Sequence, residues 1–172
     1  MKWKMDKRVS TAQGAAMQRA THLLSDEPPK LLEDTLALRL CGFENKVALQ
    51  SANEAAMAQL GERYGLDLAQ SFFRAARSGT VLRSRYVEDE LDQAIKRGVS
   101  QYVILGAGLD SFAYRKRHLV DVLRIFEVDH LATQTWKRDR LKAVGVDLPA
   151  NLSFVPLDFE KQSLIETLQT KG

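Results

Sequence analysis

The pattern of apolar and polar positions changes character once along this chain. Before Gly98 it reads as helix throughout. After Gly98 the apolar residues gather into short β-branched runs separated by helical stretches. The first region predicts helices over residues 11–24, 31–40, 44–64, 66–77 and 83–97. Ser10 is placed to cap the first of them. Asp26-Glu27-Pro28-Pro29 breaks that helix, and Cys41-Gly42, Gly65, Ser78-Gly79 and Gly98 close the others. The second region predicts strands over residues 101–105, 123–128 and 152–156. Helices are expected over residues 109–119, 131–144 and 160–168. Strands alternating with helices build a parallel sheet, so the expected fold class is α/β. The expected organisation is a helical region, 1–98, and a sheet region, 99–172.

Composition narrows the function classes. With 172 residues, 45% of them hydrophobic and 27% charged, the chain has enough apolar material for one ordinary domain core. The single cysteine, Cys41, excludes an internal disulfide framework and a cysteine-rich metal site, so no metal is expected. No apolar run is long enough to cross a bilayer, and no apolar core of a signal peptide follows the basic start. The expected location is the cytoplasm. The net charge is +3, with its densest runs at Arg115-Lys116-Arg117 and Lys137-Arg138-Asp139-Arg140. Neither run has aromatic residues repeating beside it. They read as solvated helix faces, and no nucleic-acid partner is expected.

The candidate chemistry starts where the first strand ends, at Leu105-Gly106-Ala107-Gly108-Leu109-Asp110-Ser111. Glycine at 106 and 108 permits a tight turn and a close approach of backbone to a ligand. The helix that follows would offer free N–H groups and a positive dipole end. The same turn also occurs with no ligand, so the acid after it matters. The second strand closes on Glu127-Val128-Asp129, and Asp129 lies 21 positions after Gly108. That is close to the ~20 expected for an acid that accepts from ribose hydroxyls. Glu127 and Asp129 share a strand face; their plainer reading is a solvated strand end or an ion pair with Arg124 or Lys137. A dinucleotide fingerprint wants glycine or alanine where Ser111 stands. Asp110 would repel a pyrophosphate and suits a cationic cofactor without phosphate, although it also suits a helix cap.

These residues carry a family resemblance. Arg83-Ser84-Arg85-Tyr86, the run from Val103 to Arg115 containing Gly-Ala-Gly-Leu-Asp-Ser, Phe126-Glu127-Val128-Asp129 and Val155-Pro156-Leu157-Asp158-Phe159 resemble the leucine carboxyl methyltransferase family, in particular its bacterial branch. Gln18-Arg19-Ala20 and Leu31-Leu32-Glu33-Asp34 resemble its N-terminal helices. The resemblance implies a class I methyltransferase with a Rossmann-like parallel sheet whose second strand lies between the first and third. It implies S-adenosyl-L-methionine as cofactor. It also implies a role for each matching residue. Arg83 would pair with the methionine carboxylate, and Gly106 and Gly108 would let the backbone pass the methionine portion. Asp129 would hold the ribose hydroxyls, Asp158 would accept from the adenine amino group, and the Phe159 N–H would meet a ring nitrogen. On residue type alone, Asp158 reads as a cap for the helix from Glu160, and Phe159 as core packing.

Family members methylate an oxygen, so a small-molecule or protein carboxylate or hydroxyl is the implied acceptor. A carboxylate is already ionised near neutral pH and needs no base. No catalytic residue is assigned. His22, His118 and His130 have no partner visible in the sequence and read as surface or packing residues. The sheet is expected to be truncated to about three strands, leaving the first with a bare edge where a homodimer could form. A chain of that extent is expected to turn over poorly alone. Two other readings stay open: a non-catalytic interaction module on a nucleotide fold, and an NAD-dependent oxidoreductase.

Overall fold

The structure, a computed structural model, describes residues 7–170. They divide into two compact units, Gln13–Leu91 and the chain from Asp92 on with the described residues before Gln13.

The first unit is helical, built from most of α1 (Lys7–Ser25), α2 (Ala37–Leu40), α3 (Lys46–Tyr64) and most of α4 (Leu66–Lys96). Three expectations need correction. α1 begins before Ser10, which lies inside the helix and does not cap it. The helix expected over 31–40 shrinks to the single turn of α2. Its backbone donors are taken by side chains instead. Leu31 and Leu32 N–H donate to His22 Nε2 at 3.1 and 3.4 Å. Leu36 and Ala37 N–H donate to Asp34 Oδ1 at 3.2 and 3.0 Å. Amides satisfied in this way gain nothing from a helical ladder. The other oxygen of buried Asp34 accepts from Arg19 Nε at 2.8 Å. Because His22 Nε2 accepts, its Nδ1 carries the proton and donates to Asp26 Oδ2 at 2.8 Å. The third correction concerns α4. Ser78-Gly79 does not interrupt it, and one helix of 31 residues replaces the two expected. A glycine inside a helix costs only about 1 kcal/mol. Burial of Ala69, Val81 and Leu91 along the same helix outweighs that.

α3 starts as expected, with Asn45 Oδ1 accepting from Ala48 N–H at 2.9 Å.

The second unit holds the sheet. β1 (Gln101–Leu105), β2 (Arg124–Asp129) and β3 (Leu152–Pro156) are parallel, in the order β1-β2-β3. The α/β class and the central second strand are as expected. Val103 aligns with Phe126, and Val128 with Val155. Central β2 is buried on both faces. Phe126 and Val128 join Val155 and Leu157 in a core covered by Leu164 and Leu168. Alternation puts Glu127 and Asp129 on the opposite face. β1 is an edge strand, and Leu105 at its end is exposed.

Two helices of this unit are shorter than expected. Residues 109–119 form only α5 (Phe112–Arg115) and one 3-10 turn (Arg117–Leu119). Phe112, Ala113 and Tyr114 are all buried, and three successive buried positions do not fit a helix with one apolar face. After β3, residues 158–162 form a turn, and α7 (Leu164–Gln169) begins only where Ser163 Oγ accepts from Glu166 N–H. α6 (Leu131–Ala143) matches its expected span to within a residue. No helix of the described residues is long and apolar enough to cross a membrane.

Two outcomes are expected. Gly79→Ala places a methyl in open space on a continuous helix, so it should raise unfolding free energy by about 1 kcal/mol in a denaturant titration; a loss would mean the helix breaks there. Asp34→Ala removes the buried carboxylate that pairs with Arg19 and takes the Leu36 amide, and should cost about 3–5 kcal/mol in the same measurement.

Candidate functional site

β1 runs into the turn Gly106-Ala107-Gly108. Both glycines have positive φ, +63° and +48°, a region that excludes most side chains. Their surroundings differ. A methyl on Gly106 would meet open space, whereas one on Gly108 would stand 3.0 Å from Ala12 Cβ. Backbone therefore lies open at the first glycine and is packed at the second.

The turn is tied to the end of β2. Gly106 and Ala107 N–H donate to Val128 O at 2.8 and 3.2 Å. Gly108 N–H donates to Asp129 Oδ2 at 2.6 Å, and His130 N–H donates to Asp129 Oδ1 at 2.6 Å. Each carboxylate oxygen thus holds one backbone amide. A carboxylate offers about four acceptor directions, so half of its capacity is left for a ligand. β3 joins through Leu157 N–H, which donates to Asp129 O at 2.9 Å. Gly106, Gly108, Asp129 and the start of the Asp158 turn therefore meet at the carboxyl ends of three parallel strands, where open α/β sheets take ligands.

Asp158 and Phe159 follow directly. Asp158 Oδ1 accepts from Glu160 N–H at 3.1 Å, and Lys161 Nζ lies 3.4 Å from Oδ2. The Glu160 amide, with help from Lys161, holds this carboxyl below its usual range, so it is an acceptor only. The expected helix does not begin at Glu160 but at Leu164, and Asp158 organises a surface turn before it. Phe159 is 52% exposed and does not pack in the core. The reason is the same turn, which carries the ring outward. Arg83 lies on α4 in the helical unit, with its side chain exposed.

Asp110 Oδ1 accepts from Phe112 N–H at 2.8 Å. It serves the start of α5, which is a single turn. The strong helix dipole expected beyond the glycines is therefore missing, because too few peptide units align.

Beneath the strand tips lies a buried charge pair. Lys137 Nζ stands 2.5 Å from Glu127 Oε2, and each side chain is 1% exposed. The expectation that the basic run at 137–140 is a solvated face fails at Lys137, because Glu127 on β2 draws it inward. Lys137 Nζ also lies 5.3 Å from the centre of the Tyr114 ring. Tyr114 Oη and Glu127 Oε1 are buried without a hydrogen-bond partner. They are close enough to influence each other's protonation. Burial pushes the Glu127 carboxyl up to about 7, against the pull of Lys137 and with a further push from Asp110. Burial also pushes the Tyr114 phenol up, reinforced by the charges of Glu127 and Asp110. The sequence offered the Glu127–Lys137 pairing only as one alternative, and gave Tyr114 no role.

The histidines fall in three places. His22 is buried and hydrogen-bonded, His118 is exposed, and His130 caps α6 by accepting from Ala132 N–H at 3.2 Å. Among the described residues, no group of three or more His, Cys, Asp or Glu could hold a metal ion.

Sheet order, glycine turn and strand-end acid together define an α/β protein of Rossmann-like build. Comparison with known families makes the assignment specific. The family model described as leucine carboxyl methyltransferase matches residues 12–172, and the chain belongs to that family. It is similar to the Bacillus subtilis (strain 168) protein named "Putative S-adenosyl-L-methionine-dependent methyltransferase YktD", with 44% identity over 90 residues, covering 52% of this chain and 30% of that protein. A Frankia alni protein, "Putative S-adenosyl-L-methionine-dependent methyltransferase FRAAL3718", is 30% identical over 156 residues, covering 88% of this chain and 49% of that one. A Mycobacterium marinum protein of similar name is 27% identical over 162 residues, covering 91% and 50%. The chain spans half or less of the length of these curated relatives.

Glu127 makes stability depend on pH in a stated direction. Its folded value is raised from 4.5 to about 7. Its contribution is therefore full below 4.5 and lost as pH rises through about 7. The wild-type unfolding free energy, compared with that of Glu127→Gln, should fall across this interval. A difference that stays constant would place the carboxyl at its ordinary value.

Proposed function

We propose that this chain binds S-adenosyl-L-methionine at the strand tips, as the cofactor-holding part of a methyltransferase that acts on oxygen. One observation carries the reading: the Asp129 carboxylate is fixed by the Gly108 and His130 amides and still has acceptor capacity free. A ribose offers two neighbouring hydroxyl donors, and a carboxylate held in place receives both. Membership of the leucine carboxyl methyltransferase family and the names of the relatives support the choice of cofactor.

The residues fit this ligand. Open space over Gly106 leaves room for the methionine portion beside the turn. Ionised Asp158 suits the adenine amino group, with the Phe159 N–H at a ring nitrogen. The family resemblance assigns the methionine carboxylate to Arg83, whose planar guanidinium suits a carboxylate. In domain terms, residues 99–172 are the part proposed to hold adenosine, and residues 1–98 are the helical region. The cofactor brings an activated methyl group on a sulfonium. The chain's own task is to orient it, since an ionised carboxylate acceptor needs alignment more than a base. The acceptor is a small-molecule or protein oxygen. The single cysteine suits a reducing compartment such as the cytoplasm.

NAD fits less well. Asp110 lies directly after the glycine turn, where it would face a pyrophosphate, and Ser111 takes the place of the third glycine.

Because the chain spans half or less of its relatives, binding is a more direct test than turnover. Titration calorimetry should show S-adenosyl-L-methionine and S-adenosylhomocysteine binding, with no heat from NAD. Asp129→Ala should weaken S-adenosylhomocysteine by ~1–3 kcal/mol, the scale for hydrogen bonds to a charged group. Binding of NAD alone, or an affinity untouched by Asp129→Ala, would overturn the assignment.

A further inference from the structure

We propose that Glu127, Lys137 and Tyr114 form a buried positioning device that holds Asp129 and the glycine turn in place. Its consequence for cofactor binding rests on the function proposed above; its consequence for the turn does not.

Each member sits on a different element, and each element borders the site. Glu127 is on β2, on the same face as Asp129 and two positions before it. Tyr114 is on α5, the turn of helix that leaves the glycine loop. Lys137 is on α6, which leaves Asp129 through His130. The Lys137 ammonium meets both others, at 2.5 Å from Glu127 Oε2 and 5.3 Å from the Tyr114 ring centre. One cation thus ties the segment that follows the turn, through Tyr114, to the strand that carries Asp129. One helical turn earlier, Gln134 Nε2 donates to Glu127 O at 2.9 Å and Val155 O at 3.0 Å. α6 therefore also clasps the tips of β2 and β3.

Stability alone does not explain such a pair. Well-packed apolar residues usually serve a core as well as a buried ion pair does. What an ion pair adds is direction, since its short contact tolerates little displacement. The groups that act on Glu127 come from three segments: the charges of Lys137 on α6 and Asp110 in the loop, and the neutral phenol of Tyr114 on α5. The charge of Arg138 acts on the Tyr114 phenol. A shift of any one element is felt by the rest. Asp129 stands at the centre of these elements, held by hydrogen bonds of 2.6 Å that a small rotation would break.

The test is amide hydrogen exchange by NMR on the purified chain without ligand. The Gly108 and His130 amides report on Asp129. The Ile125 amide, bonded to Asn151 O at the far end of β2, reports on the sheet. Glu127→Gln and Lys137→Met should each speed exchange at Gly108 and His130 about tenfold or more while Ile125 stays protected, the scale of losing one charged hydrogen bond. Lys137→Arg, which keeps the charge, should restore protection. Tyr114→Leu should speed exchange at Gly108, and Tyr114→Phe should not, because the ring and not the hydroxyl meets Lys137. The paired variant Glu127→Leu with Lys137→Met removes both charges and decides the matter if a single variant fails to fold. Fast exchange at Gly108 in this stable variant supports a positioning role. Wild-type protection there reduces the pair to packing and sinks the proposal. The cofactor reading fails separately, if the wild-type chain protects both amides yet shows no calorimetric binding of S-adenosylhomocysteine.

Discussion

A parallel sheet ends in a row of backbone groups that have run out of strand partners, and burying them unpaired is costly. This constraint organises the site. At the carboxyl ends of β1, β2 and β3 the orphan groups are matched one by one. The glycine turn folds back onto Val128 O, Leu157 N–H reaches Asp129 O, and Gln134 serves two carbonyls. The Asp129 side chain completes the set by taking Gly108 and His130 N–H. A carboxylate accepts more bonds than those amides use. The residue that closes the sheet end is therefore also the one with capacity to spare for a ligand.

The same logic shapes the helical unit. His22 and Asp34 sit where residues 31–37 need hydrogen-bond acceptors, and their side chains replace a helix that the apolar pattern favours. Each is itself held, His22 by Asp26 and Asp34 by Arg19. His22 and Asp34 thus both serve backbone amides. Glu127 is different. Among the described residues its carboxylate takes no backbone amide, it keeps one oxygen unmatched, and burial raises its carboxyl to about 7. A group kept under such tension is more informative about geometry than about stability.

Local rules were readable wherever they acted alone. Gly106 and Gly108 announce a turn through backbone freedom, and the period of two puts Glu127 and Asp129 on one face. β1 and β3 fall on the residues that short apolar, β-branched runs mark. Asp129 stood out through spacing. Arg83, Asp158 and Phe159 became candidates only through family resemblance, since an exposed arginine, a turn aspartate and a lone phenylalanine have many plainer uses. Lys137 was misread because a run of charges carries no sign of which member faces a buried carboxylate. Ser78-Gly79 was misread because a stop signal loses to a helix whose neighbours are worth burying.

The amino-acid order by itself therefore determined the α/β class, the parallel strands, the glycine bend and the acid after it. These depend on contacts between near neighbours and on periodicity, which are properties of a line. Tertiary structure decided which backbone groups were taken by side chains, where α2 and α5 stopped, that α4 ran on through a glycine, and that Lys137 turned inward. Those outcomes depend on burial and on partners far away in the chain. Charge and hydrogen-bond demand must be balanced in three dimensions before either can choose a conformation.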